Sequence, residues 1–436
     1  MRGFDLVAAT LAAVCSLGLA ARGEAPRPAV KDLLGICGHT VMFKPELYAP
    51  VCSLVRDYHP VEWDLGKDTA VLPEWPFAKN KVSWEGVYGS WVKRGFRIDA
   101  CLMFETEPAD KWKDLDKDAA AYGQSLARRF GPSSKLPLLE AVEIGNEPGK
   151  WSDEKYTQVM EAFSRGIRAG DAKLKIATCN MVVGKSHAYA KSVSTVEKLG
   201  AAYDVLTIHT YAQLEGWPTW KRSYPEDPKL AYLKDVRDLA AWRDEHAKGK
   251  PIWITEFGYD ATTKSPDPKT EFAKWVGSTE TQQAQYLVRS VLVFATLPVE
   301  RAYIYFFDDN DDPHVHGSSG ITRKFAPKPA YWALVHLQQT LGDFRFSRAL
   351  AEKEGAVYAY EFVHATEPGK AVIVAWSPTG SGRAATVALE LGGRKITRAE
   401  RMPLGKGDVE KLEVKSAAEV PITESPLFLF VSGAAK

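Results

Sequence analysis

Apolar residues arrive along this chain in short, nearly unbroken runs, separated by longer stretches in which they recur every third or fourth position. Unbroken runs mark strands buried on both faces, and the spaced stretches read as amphipathic helices. The runs predict eight strands, at Leu33–Gly38, Val61–Leu65, Arg97–Phe104, Leu138–Gly145, Lys175–Met181, Val205–His209, Ile252–Glu256 and Ala302–Phe307. A helix is expected after each. One should start at Asp227-Pro228, a cap followed by proline at the first helical position, with Leu230, Leu233, Val236 and Ala240 inward and Gly249 as its stop. Thr279 to Gln282 has the form of a capping box for the next helix. Eight β–α repeats argue for a parallel sheet closed into an α/β (β/α)₈ barrel over residues 30–340. From about Leu341 the pattern changes. Val357–Phe362, Lys370–Trp376, Ala384–Leu389 and Pro426–Val431 are short runs between Gly, Pro and Ser clusters, and predict a small antiparallel β-sandwich-like domain over 341–436.

Composition narrows the partners. Lys plus Arg (56) almost balances Asp plus Glu (55), so the chain has neither the basic footprint of a nucleic-acid binder nor a polybasic membrane signal. Thirteen tryptophans offer flat apolar faces of the kind sugars stack on, although core packing is the commoner use of any single Trp. Residues 1–25 read as a secretory leader: Arg2 precedes the apolar run Leu6–Ala20, and small residues near Ala20–Ala21 or Ala25 suit cleavage. A secreted or periplasmic protein is therefore expected. Cys37, Cys52, Cys101 and Cys179 match no metal-ligand spacing, and three of them fall in predicted strands, where a free thiol behaves as a small hydrophobe.

Two strand ends carry the candidate chemistry. Leu138-Leu139-Glu140-Ala141-Val142-Glu143-Ile144-Gly145-Asn146-Glu147-Pro148 runs as a strand and stops at Asn146 and Glu147, because Pro148 removes a backbone donor and disfavours the helical region before it. Pro251-Ile252-Trp253-Ile254-Thr255-Glu256-Phe257-Gly258 ends the same way. A barrel keeps its catalytic groups at such tips. Two carboxyl groups held about 5–5.5 Å apart suit glycosidic cleavage with retention, one as acid and one as nucleophile.

Gly145-Asn146-Glu147-Pro148 at the fourth strand and Thr255-Glu256-Phe257-Gly258 at the seventh resemble clan A of the glycoside hydrolases, in particular families five and thirty-nine. The resemblance covers roughly residues 33–340. It implies that Glu147 is the acid/base, that Glu256 is the nucleophile, and that Asn146 binds the sugar 2-hydroxyl. His209-Thr210-Tyr211 on the sixth strand resembles the clan's His-x-Tyr, which implies that Tyr211 holds the nucleophile and His209 supports the acid/base region. Many members place a Trp at the eighth tip; this chain has Tyr305-Phe306-Phe307-Asp308, so Phe306 or Phe307 must serve there or nothing does, and Phe307 and Asp308 stand as candidate substrate contacts. The acidic run 308–312 lacks the spacing of a known calcium loop and reads as a solvated or sugar-contacting loop. Members also carry an arginine near the nucleophile. Arg56 is nearest in sequence but is expected at the end of the first helix, which leaves His59, Glu62, Trp63 and Asp64 on the second strand. Trp63, Asp64 and His39 are taken as substrate contacts, His39 with a purely structural role as its alternative. Glu143 shares strand parity with Glu147 and is assigned to an internal polar network. Trp75, Trp217 and Trp220 lie in long loops suited to flanking a cleft, with Trp217 the chosen platform. The function expected is hydrolysis of a β-linked poly- or oligosaccharide, endo rather than exo, with no cofactor, metal or protein partner. An exo-acting β-glycosidase, an α-L-arabinofuranosidase and a non-catalytic carbohydrate-binding barrel are the alternatives.

Overall fold

The structure, a computed structural model, describes residues 27–433, so the expected leader at 1–25 lies outside the described residues. Eight parallel strands close on themselves: β1 (Leu34–Gly38), β2 (Leu54–Pro60), β3 (Arg97–Met103), β4 (Ala141–Ile144), β5 (Lys175–Val182), β6 (Val205–His209), β7 (Ile252–Phe257) and β8 (Arg301–Ile304), with β8 pairing back onto β1. Helices α1 (Trp84–Val92), α2 (Leu115–Phe130), α3 (Asp153–Gly170), α4 (Tyr232–His246), α5 (Glu280–Phe294) and α6 (Pro329–Leu341) surround them. Side chains at their starts satisfy the free N–H groups: Ser83 on α1, Asp114 on α2, Ser152 on α3, and the reciprocal Thr279–Gln282 box on α5. Gly166 lets α3 press against α2, since a Cβ there would sit 1.9 Å from the Ala120 carbonyl oxygen.

Three expectations are corrected. The second strand is Leu54–Pro60, and Val61–Leu65 is a single helical turn after it. Arg56, Asp57 and His59 interrupt the apolar run there, yet all are fully buried, so a strand with a polar inner face was passed over for the next apolar run. No long helix follows β5; a two-residue strand, Lys191–Ser192, and a 3₁₀ turn, Val193–Thr195, take its place. Finally, α4 starts at Tyr232, because Asp227 accepts hydrogen bonds from Ser223 Oγ and the Lys229 N–H and so closes a turn of its own.

The C-terminal region is a six-stranded antiparallel sheet ordered Phe344–Lys353, Val357–His364, Ala371–Trp376, Leu427–Ser432, Lys395–Arg401, Glu410–Leu412, with Ala385–Val387 and Val420–Ile422 pairing beside it. Its central runs are apolar throughout because both faces are buried. Tyr360, Phe362, Val372, Val374, Trp376 and Phe428 join the main core, while Ala359, Ile373, Ala375, Leu427 and Leu429 form a second core under the small sheet. A buried polar clasp ties this sheet to the barrel: Glu226 accepts from Trp376 Nε1 (2.6 Å) and pairs with Arg289, whose Nη1 also donates to the Thr379 carbonyl (2.9 Å).

Candidate active site

The two candidate carboxylates, Glu147 and Glu256, sit where their strands end. After β4, Gly145 adopts φ +85°, a left-handed conformation that costs glycine little, and swings Asn146 and Glu147 out of the ladder. On the far side, the register slips between β6 and β7 at Ile208/His209 and between β7 and β8 at Ile254/Phe257. Such irregularities re-aim side chains, and here His209 and Glu256 lie side by side in the pairing. One carboxylate oxygen of Glu147, one of Glu256 and a ring nitrogen of His209 fall within 4.8 Å of one another. That spacing belongs to the retaining geometry; an inverting pair leaves room for a water at about 6.5–9.5 Å.

The two glutamates have unequal surroundings. Glu256 accepts hydrogen bonds at Oε1 from Tyr58 Oη (2.5 Å) and Arg56 Nη1 (3.1 Å), and at Oε2 from Tyr211 Oη (2.8 Å). Burial opposes its ionisation, but the charges of His209 and Arg56 and the two tyrosine hydroxyls outweigh that and bring its pKa to about 2. Glu147 has one side-chain partner, His209 Nδ1 at 2.9 Å, and its side chain is 28% exposed against 7% for Glu256. Burial works against a charged His209, yet the neighbouring glutamates prevail and raise its pKa. The site thus holds one carboxylate firmly ionised and leaves the other near solvent with few donors. That is the division of labour acid and nucleophile need.

Arg56, the nearest candidate arginine in the sequence but expected at the end of the first helix, is the hub. It lies on β2, fully buried, and its guanidinium donates to both oxygens of Glu143 (2.6 and 3.1 Å), to Glu256 and to Asn146 Oδ1 (2.8 Å). With Oδ1 engaged, Asn146 has its amide N–H₂ left to offer a sugar hydroxyl. Strand parity was the signal: Leu54, Arg56 and Tyr58 alternate onto the inner face. Glu143 occupies the internal network assigned to it.

Above these groups opens a cleft of about 900 Å³ lined by both glutamates, Asn146, His209, Tyr211, His39 and Trp63. The remaining expected contacts lie elsewhere. Asp64 is fully buried, accepting from Trp84 Nε1 (2.6 Å) and Tyr122 Oη (2.7 Å) and bonded to His59 Nε2 (2.7 Å). Phe307 is buried against Phe43 and Tyr48, and Tyr305, two residues earlier, takes the place at the cleft. Asp308 accepts from Thr322 Oγ1 and the Phe325 N–H (both 2.6 Å). Its neighbours Asp309 and Asp311 pair with Lys328 (3.1 Å) and Arg323 (3.1 Å), so cationic side chains already neutralise this loop. Trp217 is 72% exposed, whereas Trp220, brought back by a turn from Gly216, lines the cleft. Trp75 packs on Phe130 and donates to Ser125. His316, which was not among the expected contacts, joins the cleft beside Tyr211. Among the described residues Glu147, His209 and Glu256 also form the group close enough to hold a cation, but Arg56 and two hydroxyls already occupy the Glu256 oxygens.

Comparison with known proteins adds to this geometry. Residues 100–291 match the family model Cellulase (glycosyl hydrolase family 5). No curated protein matches the chain. Among solved structures, a family 39 glycoside hydrolase from the gut symbiont Bacteroides cellulosilyticus WH2 superposes with TM-score 0.67 at 17% identity, over 93% of this chain and 81% of that one. A glucosidase from Croceicoccus marinus gives 0.64 at 13%, covering 94% and 97%. An α-L-arabinofuranosidase from Thermotoga maritima gives 0.59 at 11%, covering 93% and 98%. At such identities the likeness is one of fold.

Proposed function

We propose that this chain, a glycoside hydrolase of clan A, cleaves a neutral β-linked poly- or oligosaccharide with retention of anomeric configuration. The observation that carries the reading is the pair of carboxylate oxygens within 4.8 Å, with only one of the two groups wrapped in donors. Glu256 attacks the anomeric carbon as the glycosidic bond breaks, and Glu147 gives its proton to the departing oxygen. Glu147, now a carboxylate, takes a proton from water, which attacks the same carbon, releases the sugar and restores Glu256. Asn146 donates to the 2-hydroxyl, and Tyr211 and Tyr58 hold the nucleophile. A neutral sugar is supported by the cleft lining, which among the described residues includes carboxylates and histidines but no lysine or arginine. A cut inside a chain is supported by the cleft's size and by Trp63 and Trp220, which line it from the segments after opposite strands, β2 and β6. Secretion belongs to this proposal too, on the strength of the leader-like residues 1–25.

The test is turnover of polysaccharides and aryl glycosides, with the first-formed anomer read by NMR. A retained anomer, abolished in Glu256→Ala, is expected. Glu147→Ala should keep glycosylation by substrates with good leaving groups and regain the slow second step with azide. An inverted product would remove Glu256 as nucleophile, and binding without turnover in the wild type would leave a carbohydrate-binding barrel.

A further inference from the structure

Glu105 follows β3 in a 3₁₀ turn, Phe104–Thr106, and has no part in the chemistry above. Its Oε1 nevertheless accepts the backbone N–H groups of two residues that do, Asn146 (2.7 Å) and Glu147 (3.2 Å). Its Oε2 is buried without a hydrogen-bond partner. The same oxygen lies under the turn: a Cβ on Gly145 would approach it to 3.3 Å and the Phe104 ring to 2.7 Å.

The two N–H groups need an acceptor for a specific reason. At β4 the ladder ends with Ile144, Gly145 turns the chain, and Pro148 has no donor to continue any pattern. Backbone donors released from a ladder inside a protein are costly to leave unpaired, and a carboxylate is a stronger acceptor for them than a neutral group. The Asn146 carbonyl is held from the other side by the Asn180 N–H (3.2 Å), and Asn146 Oδ1 by Arg56. The Gly145 N–H goes to the Leu102 carbonyl (3.0 Å), and among the described residues the acceptor of the next two N–H groups, those of Asn146 and Glu147, is Glu105. Burial raises the Glu105 carboxyl to about 7, against the pull of these N–H groups, so the site is a poor one for a carboxylate that served packing alone.

We propose that Glu105 is a positioning residue for the acid/base: it touches no substrate, and through two backbone bonds it sets where the Glu147 carboxyl meets the glycosidic oxygen. This rests on the assignment of Glu147 above. Protonation of the leaving group matters most when that group leaves poorly, so a misplaced Glu147 leaves a kinetic signature that general damage does not. A misplacement near 1 Å can lower a rate by about 100-fold.

The experiment compares two rates in one preparation: hydrolysis of 2,4-dinitrophenyl and of alkyl β-glycosides, of whichever of glucose, xylose or mannose the wild type accepts. In Glu105→Ala, kcat/KM on the alkyl glycoside should fall by about 100-fold while the dinitrophenyl rate changes little. Glu105→Gln keeps an acceptor oxygen and should fall between Ala and wild type. The ratio of the two rates is independent of the folded fraction, and Glu105→Gln serves if the alanine variant does not fold. Equal loss on both substrates in Glu105→Ala, or in Glu105→Gln if that is the variant measured, or no loss on either, would overturn the proposal. The Glu147→Ala control separates the two readings. If it lacks the leaving-group signature, the acid/base assignment fails; if it has the signature and Glu105→Ala does not, only the positioning role fails.

Discussion

Glu256 at the barrel's mouth and Asp99 in its interior are both fully or almost fully buried carboxylates, and they are driven in opposite directions. Glu256 meets a guanidinium, two tyrosine hydroxyls and a nearby imidazole, and its pKa falls to about 2. Asp99, paired in register with Arg56 on β2 and Ala141 on β4, has neither oxygen hydrogen-bonded, and burial lifts it to about 7, with the charge of Glu143 adding to the rise. Burial is common to both; partners make the difference. The mouth can supply partners because loops and strand ends converge there. Farther in, Cys37, Leu54, Ala141, Val205, Trp253 and Tyr303 close the interior with mostly apolar surface. Glu256, ringed by donors, is held ionised, whereas Asp99, which no donor reaches, holds its proton more tightly than an ordinary aspartate.

The strongest way to break this contrast is to take the guanidinium from the mouth. Arg56→Met leaves Glu143 and Glu256 as buried carboxylates without their shared cation, a change expected to cost about 3–5 kcal/mol of stability. Turnover should fall by at least about 100-fold, since the nucleophile loses both its charge balance and its place. Denaturant melts and steady-state kinetics on one substrate would show both; a variant of near-normal stability and rate would mean that the hydroxyls alone maintain Glu256. A smaller step is Tyr211→Phe, which removes one 2.8 Å hydrogen bond from Glu256. The loss should be about tenfold, the worth of one bond to a charged group. The acid limb of kcat/KM should also move upward, because a carboxylate with fewer donors is protonated sooner. The sign is fixed by the lowered pKa. Glu256 stabilises the fold above the ordinary glutamate range and loses that contribution as pH falls toward about 2, so the variant should lose it earlier in an acid titration.

Much of the mouth was legible in the sequence because its residues close mainly apolar strands. Glu147 and Glu256 each end such a run, and Asn146, His209 and Tyr211 come with them. What was misplaced was the second strand, whose inner face is polar. Arg56, Asp57 and His59 break the apolar run, so hydrophobicity alone moved β2 seven residues along, carrying Asp64 with it from a buried hydrogen-bonded position to an imagined place at the substrate. The eighth tip shows a different limit. Tyr305, Phe306 and Phe307 are consecutive aromatics, and a one-dimensional pattern does not tell which ring faces the cleft and which packs on Phe43. Glu105 is a third kind. Its partners are backbone groups forty residues on, and a backbone N–H leaves no mark in a sequence.

Asp99 gives the mildest and most specific test of the contrast. Its pKa is raised in the folded state, so between about 4 and 7 the native protein holds a proton that the unfolded chain has released, and stability falls as pH rises through that window. Asp99→Asn supplies an uncharged group of the same shape. It should leave turnover near wild type and raise the melting temperature at pH 8, by a few degrees if the relief is on the order of 1–2 kcal/mol. At pH 4.5, where Asp99 is largely protonated in the folded protein, the two proteins should melt close together. A variant that is less stable at pH 8 than the wild type would mean that Asp99 is ionised and useful to Arg56 and Arg301, and the interior of the barrel would then follow the same rule as its mouth.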